Sequence, residues 1–468
     1  MSGRPALADP RADDRIPGLV LDAIDDASPR GIAAAVNRLI RSGRLVTGDR
    51  LPTVRDLARD LGISPATVSE AWQALSAVGA IESRGRAGTF VRCTDEPSRP
   101  VRYLGIGIAP AATGLDLSTS MPDPALLPAL RPALESVTDP DLVWTTSYLD
   151  DPVLPRLEEI LRADWPFAAQ RIGTVDGALD GLSRLIEQVV RLGDRVALEN
   201  PGFPALIDLL EARGAEIVPL EVDEQGATPA SLERALELEP AAVFLQSRAQ
   251  NPTGASMTAD RVAALAALLA PTRAWIVEAD HSGLIARGAD VSLGTFLPER
   301  TVHVRSFSKS HSPDLRTAAI GGAAEVMDPL MARRMLGPGW TSRILQGMLV
   351  HLLSDPLAIA TVDRARATYH HRCSRLHDAL VGRGVVCAPA DGINLWVQVA
   401  DERSALLMLA AGGIRVAPGG PFMVQPLPDQ YLRITAGLLP DDPDQIDLIG
   451  QRIAEAAHAR PSARGGIS

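Results

Sequence analysis

The sequence predicts an α/β protein that carries a small winged helix-turn-helix at its N-terminus, and three observations lead there. From Arg171 onward, short apolar runs alternate with helix-length segments, the pattern of a largely parallel sheet with crossover helices. Between Gly31 and Arg92, helical spacings stop at glycines and a Gly/Arg-tipped hairpin follows. Between the two regions lies a stretch with Pro97, Pro100 and Pro110 and no periodicity.

Residues 1–25 are rich in Asp, Arg, Pro and Ala and read as a mobile arm. The first domain spans 26–92. Ile32, Val36, Leu39 and Ile40 share one helical face that ends at Ser42-Gly43. Thr53 caps a second helix through Leu57, Ala58 and Leu61, closed by Gly62. Ser64 caps a third over Pro65–Val78, with Pro at the first position, where its missing N–H costs nothing. Ile81 to Arg92 reads as two short strands around a turn, which completes the winged motif.

Residues 93–114 read as a linker, and a flexible chain of that length spans roughly 25–30 Å. In the domain over 115–458, strands are expected at Arg195–Glu199, Glu216–Val222, Ala241–Gln246, Ala274–Glu278 and Thr301–Phe307. Helices are expected over Leu179–Leu192 and Arg261–Leu269. From about 343 a long helical stretch leads to strands at Val385–Cys387, Ile393–Val399, Ile414–Ala417 and Tyr431–Ala436. A closing helix at Gln445–Ala457 completes a smaller α+β subdomain, and 459–468 reads as a tail. Ligands collect at the carboxyl ends of parallel strands. Asn251, Asp280 and Lys309 all fall there, so the three should converge.

The net charge of −11 excludes an indiscriminately basic nucleic-acid binder. From Gly31 to Arg92, however, nine Arg face five acids, a balance of +4 that leaves −15 on the remainder. The start of the chain, Met1 to Pro17, has no apolar core, and the longest apolar runs, such as Val262–Ala270, are too short to span a membrane. A cytoplasmic protein with no membrane partner is expected. Cys93, Cys373 and Cys387 show no ligand spacing and read as free thiols, and His370-His371-Arg372-Cys373 reads as a solvated helix face, so no metal is expected.

The total of 46 basic residues comprises 45 arginines and one lysine, Lys309. A primary amine can add to an aldehyde and form a Schiff base; a guanidinium cannot. Ser306, Ser308 and Arg316 surround it with hydroxyls and a forked cation suited to a phosphate. Asp176-Gly177-Ala178 lies between a strand and a helix, where free amides and the helix dipole favour an anion.

Two resemblances rest on these stretches. "LPTVRDLARDLGISPATVSEAWQALSAVGAIESRGRAGTFV" resembles the GntR family over its full length. That implies contacts to operator DNA from Thr53, Arg55, Ser64, Thr67, Arg84 and Gly88, with Arg86 on the same turn. Pro65 stands where the family usually has a base-reading arginine. Ser306 to Arg316, with Asn251-Pro252-Thr253-Gly254 and Tyr431-Leu432-Arg433-Ile434, resembles the fold-type-I aminotransferases that bind pyridoxal 5′-phosphate. Together they resemble MocR-type transcriptional regulators.

The second resemblance implies that Lys309 bonds the aldehyde and Asn251 the ring hydroxyl. Gly177, Ala178, Ser306, Ser308 and Arg316 would cradle the phosphate, with Tyr148 reaching it from the other subunit of a homodimer. Phe203 would stack on the ring and Arg433 would clamp an effector carboxylate. Relatives place an acid on the pyridine nitrogen where this chain has Ala279, in Glu278-Ala279-Asp280-His281. Either Asp280 takes over that role or the nitrogen goes without its acid; His281 replaces the usual tyrosine beside the ring oxygen or supports the site from behind. The implied function is a regulator that senses an amino compound or the cofactor itself. A working aminotransferase with a DNA-binding head and a cofactor-free repressor on a dimer scaffold are the alternatives.

Overall fold

The computed structural model describes residues 16–77, 79–92, 100–108, 114–137, 145 and 147–460. The chain divides into two compact units, the first built on residues 1–100 and the second on most of the remainder. Among the described residues, no single helix is long and apolar enough to cross a membrane.

In the first unit, α1 (Ile16–Asp22), α2 (Pro29–Arg41), α3 (Val54–Leu61) and α4 (Pro65–Ala77) precede an antiparallel hairpin of β1 (Ile81–Ser83) and β2 (Thr89–Val91). Thr53 caps α3 by accepting the Asp56 N–H, and Gly62 closes it at φ +69°, a left-handed conformation that suits glycine. The Ser64 hydroxyl accepts from the Thr67 N–H at 3.2 Å. Ile32, Val36, Leu57, Val68 and Leu75 are buried in one core. The expected mobile arm is corrected from residue 16 onward: Ile16 and Val20 sit one helical turn apart, and both are buried in this core. The arm before Ile16 lies outside the described residues, as does the tail beyond Arg460.

The second unit is built on an eight-stranded sheet. Its strands in chain order are β4 (Arg171–Val175), β5 (Arg195–Asn200), β6 (Glu216–Asp223), β7 (Gly226–Ala227), β8 (Ala242–Leu245), β9 (Trp275–Asp280), β10 (Thr301–Ser306) and β11 (Ala318–Gly322). They lie in the order β4-β11-β10-β9-β8-β5-β6-β7. Strands β5, β8, β9 and β10 pair in parallel, as apolar runs with intervening helices require, and β11 runs antiparallel between β10 and β4. A four-stranded sheet, β12 (Leu395–Val399), β14 (Gln430–Ile434), β13 (Ile414–Pro418) and β3 (Leu115–Leu117), packs with the helices Pro356–Val381 and Pro443–Ala457 around a second core. The strand expected at Val385–Cys387 reduces to one bridge, Cys387 to Val397.

The reading of 93–114 as a linker without periodicity is also corrected in part. Val101–Gly105 is helical and Ile106–Ile108 forms a 3-10 turn, because the Asp208 carboxylate accepts from the N–H groups of Arg102 (3.1 Å) and Tyr103 (2.9 Å). Residues 93–99 and 109–113, Cys93 among them, lie outside the described residues. The His370 to Cys373 stretch is solvated only in part: both histidines are exposed, whereas Arg372 and Cys373 are buried on the opposite side of their helix.

Candidate ligand site

A cavity of about 210 Å³ opens at the carboxyl ends of β8 and β10. Lys309, three residues past β10, reaches it with its amine, which donates to the Ser120 carbonyl oxygen at 2.6 Å. Burial, with the Arg433 guanidinium nearby, pulls the Lys309 ammonium down to about 8. Burial also pulls Arg433 down to about 10 and, with Lys309 close, the His281 imidazole down to about 3, so His281 stands neutral beside the amine.

Most of the expected residues converge. Ala178, Phe203, Asn251, His281, Ser306, Ser308, Arg316 and Arg433 line this cavity with Lys309. Gly177 borders it at φ +102°; a Cβ there would lie 2.6 Å from the Arg316 guanidinium. The glycine therefore lets Arg316 close over the start of the helix Ala178–Val189. The Asn251 Oδ1 and His281 Nδ1 atoms are buried without hydrogen-bond partners. Arg433 is fully buried; its guanidinium donates to the Ser118 carbonyl oxygen and lies over the Phe422 ring, with no carboxylate partner among the described residues. Buried polar atoms left unpaired on a cavity wall mark groups that a ligand would satisfy.

Asp280 is corrected. Successive side chains on a strand point to opposite faces. Ala279 pairs with Val304, whose Cγ1 would lie 3.6 Å from a Cβ at Gly181, so Ala279 is on the face covered by the helix Ala178–Val189. Asp280 points the other way, where Arg248 donates to it at 2.6 and 3.1 Å, and its second oxygen accepts the Gly283 N–H. Burial alone would raise this carboxyl, but Arg248, with His303 and Arg305, holds it well below the usual carboxylate range. Asp280, Asp290 and His303 approach within 4.8 Å of one another, yet Arg248 and Arg305 already pair with both carboxylates.

Tyr148 lies outside the cavity, 86% exposed, with its ring 5.9 Å from that of Trp340. Sequence reasoning missed Ser120, which takes a left-handed conformation (φ +53°). Thr435 accepts its N–H, and Asn394 donates to its hydroxyl at 3.0 Å. It also missed Tyr103 and Ile106, which line the cavity from the supposed linker, and Glu199 at the end of β5. The fully buried Glu199 carboxyl accepts from the Gln246 N–H and the Gln250 side chain; Gln246 in turn accepts the Asn251 N–H, and Gln250 donates to the Pro201 carbonyl. An aromatic residue between two prolines was a signal for Tyr103; a left-handed serine has none.

On the first unit, Thr53 and Arg55 stand at the start of α3, Ser64 and Thr67 at the start of α4, and Arg84 and Gly88 on the hairpin turn. Thr53, Arg55, Ser64 and Arg84 are exposed, Thr67 and Gly88 partly so, and none belongs to the core. Arg84 donates to Glu82 at 2.8 Å and lies 4.9 Å over the Phe90 ring. Arg86 belongs to the turn Gly85–Ala87, and its side chain lies outside the described residues.

The family model for class I and II aminotransferases matches residues 145–446, and that for bacterial regulatory proteins of the gntR family matches residues 30–91. The vitamin B6 salvage pathway transcriptional repressor PtsJ of Salmonella typhimurium is 33% identical over 441 residues, covering 92% of this chain and 99% of the relative. The HTH-type transcriptional regulator TauR of Rhodobacter capsulatus is 30% identical over 428 residues, covering 82% and 87%. Among solved structures, the α-aminoadipate aminotransferase LysN of Thermus thermophilus aligns at a TM-score of 0.65 and 21% identity, over 77% of this chain and 94% of that one.

Proposed function

Because the chain belongs to the MocR-type transcriptional regulators, a gntR-family DNA-binding domain joined to a class I and II aminotransferase domain, we propose that it binds operator DNA as a homodimer and senses pyridoxal 5′-phosphate on Lys309. The observation that carries this reading is the chain's single lysine, buried with a lowered pKa, in a cavity that also holds Ser306, Ser308, Arg316 and an unpartnered Asn251 oxygen. Bound there, the cofactor supplies an aldehyde able to condense with a primary amine.

The remaining roles belong to this chain's residues. Ser306, Ser308, Arg316 and the glycine turn at Gly177 hold the phosphate, Asn251 the ring hydroxyl, and Phe203 the ring face. Tyr148, exposed on this subunit, serves the partner's site. Ala279 puts a methyl group where an acid would be needed to charge the pyridine nitrogen, and Asp280 is committed to Arg248 on the other face. This favours a sensor over a working aminotransferase. Thr53, Arg55, Ser64, Thr67, Arg84, Arg86 and Gly88 face DNA in this reading. The signal is the cofactor itself, in keeping with the relative named for vitamin B6 salvage. The buried Arg433, without a carboxylate partner among the described residues, favours a second reading in which an amino compound bearing a carboxylate is the signal.

The test is visible absorption of the purified protein with pyridoxal phosphate, with borohydride to fix any C=N bond, beside Lys309→Ala. A band fixed in the wild type and absent in the variant supports the reading. Uptake by neither protein overturns it and leaves the large domain a scaffold. Selection of bound DNA from a random pool, with and without the cofactor, then reads the regulatory output.

A further inference from the structure

The segment Val101–Ile108 is held from both sides of the cavity. On one side, Asp208, in the helix that starts right after Phe203, accepts the N–H groups of Arg102 and Tyr103. On the other, the Arg102 guanidinium donates to the Met423 carbonyl at 2.7 Å, and Arg415 of β13 donates to the Gly107 carbonyl at 2.9 Å. Gly105 lies against Pro421, where a Cβ would be 3.4 Å from the proline ring, at van der Waals contact. Within the cavity, Tyr103 meets Phe203 edge to face at 6.1 Å and shares the wall with Arg433, while Ile106 packs beside Phe422.

Tyr103 is still 45% exposed, so its ring has surface left to bury against a ligand. The segment also begins at Val101, the residue after Pro100, the last residue of the N-terminal stretch of the first compact unit. A ligand shifts an equilibrium only through contacts that differ between two states. Tyr103 and Ile106 provide such contacts in the chain that leads directly to the DNA-binding unit.

We infer that Val101–Ile108 is part of the ligand site: Tyr103 contacts the bound molecule, and occupancy of the cavity orders this segment and so reports to the chain entering the DNA-binding unit. The inference rests on the reading of the cavity as a pyridoxal phosphate site. It adds a sensing residue that the lysine and arginine motifs do not contain.

Hydrogen–deuterium exchange on the full-length protein, with pyridoxal phosphate as the probe, tests it. In the wild type, the amides of residues 103–108 should exchange more slowly on addition of the cofactor, by on the order of tenfold. Compared at cofactor concentrations that saturate the visible band of each protein, Tyr103→Ala should bind the cofactor more weakly and lose that protection, whereas Tyr103→Phe, which keeps the ring, should retain most of it. A wild-type band with unchanged exchange at 103–108 overturns the inference while leaving the cofactor site intact. Undiminished protection in Tyr103→Ala overturns the role of the ring. Absence of a band in the wild type removes the site reading and the inference with it.

Discussion

The Lys309 amine and the Ser120 carbonyl are 2.6 Å apart, and Ser120 aims that carbonyl from a left-handed backbone anchored by Thr435 and Asn394. The amine is thus positioned by an acceptor rather than by a carboxylate. Its charge is opposed by burial and by Arg433, not stabilised.

Capture of pyridoxal phosphate should consequently depend on pH in a defined way. Only the neutral amine attacks an aldehyde, and the ammonium is destabilised to about 8. The rate should rise with pH and level off above about 8, well below the range of an ordinary lysine. Arg433→Leu removes the neighbouring cation and should move the plateau to higher pH. Stopped-flow absorption across pH 6–11 reads both, and an unmoved plateau in Arg433→Leu would exclude Arg433 as a contributor.

Glu199 predicts a stability effect of opposite sign to that of most acids. Burial raises its carboxyl to about 8, against hydrogen bonds from Gln246 and Gln250 that lower it, so the folded protein holds it protonated where the unfolded chain ionises. Its contribution is therefore complete below about pH 4.5 and is lost as pH rises through about 8. Glu199→Gln keeps an acceptor for Gln246 and cannot ionise. At pH 9 it should be more stable than the wild type by about 2 kcal/mol, with little difference at pH 5. Urea melts at the two pH values decide; equal stabilities at pH 9 would sink the argument.

Gly177→Ala places a methyl group at φ +102° and within 2.6 Å of the Arg316 guanidinium. The backbone term alone costs on the order of 1–2 kcal/mol. Displacing Arg316 should weaken pyridoxal phosphate binding by about tenfold in a fluorescence titration. DNA affinity in the absence of cofactor should not change, because the glycine lies in the other unit.

Arg84→Gln tests the hairpin. The exposed pair with Glu82 contributes little to folding, so thermal stability should stay within experimental error. If Arg84 neutralises a phosphate, DNA affinity falls and the slope of log K against log salt drops by about one. A lower affinity with an unchanged slope would point to a contact that is not electrostatic.

Much of the architecture is legible in the residues alone. Thr53, Gly62 and Ser64 declare the ends of two helices because capping is settled by a few neighbouring residues. The apolar runs at β5, β8, β9 and β10 declare a parallel sheet because strands buried on both faces need continuous apolar stretches. The lone lysine declares itself because no other side chain could do its chemistry. These are short-range or compositional facts, and the chain states them alone. Which face of β9 each side chain takes was not among them. A period of two says that Ala279 and Asp280 point apart, but only packing of the helix Ala178–Val189 against Val304 puts the methyl on the helix-covered face and leaves the carboxylate to Arg248. Likewise, Val101–Ile108 has no periodicity to mark a helix. It is held by Asp208, Met423 and Arg415, residues about one hundred to three hundred positions away, whose meeting depends on the whole domain being assembled.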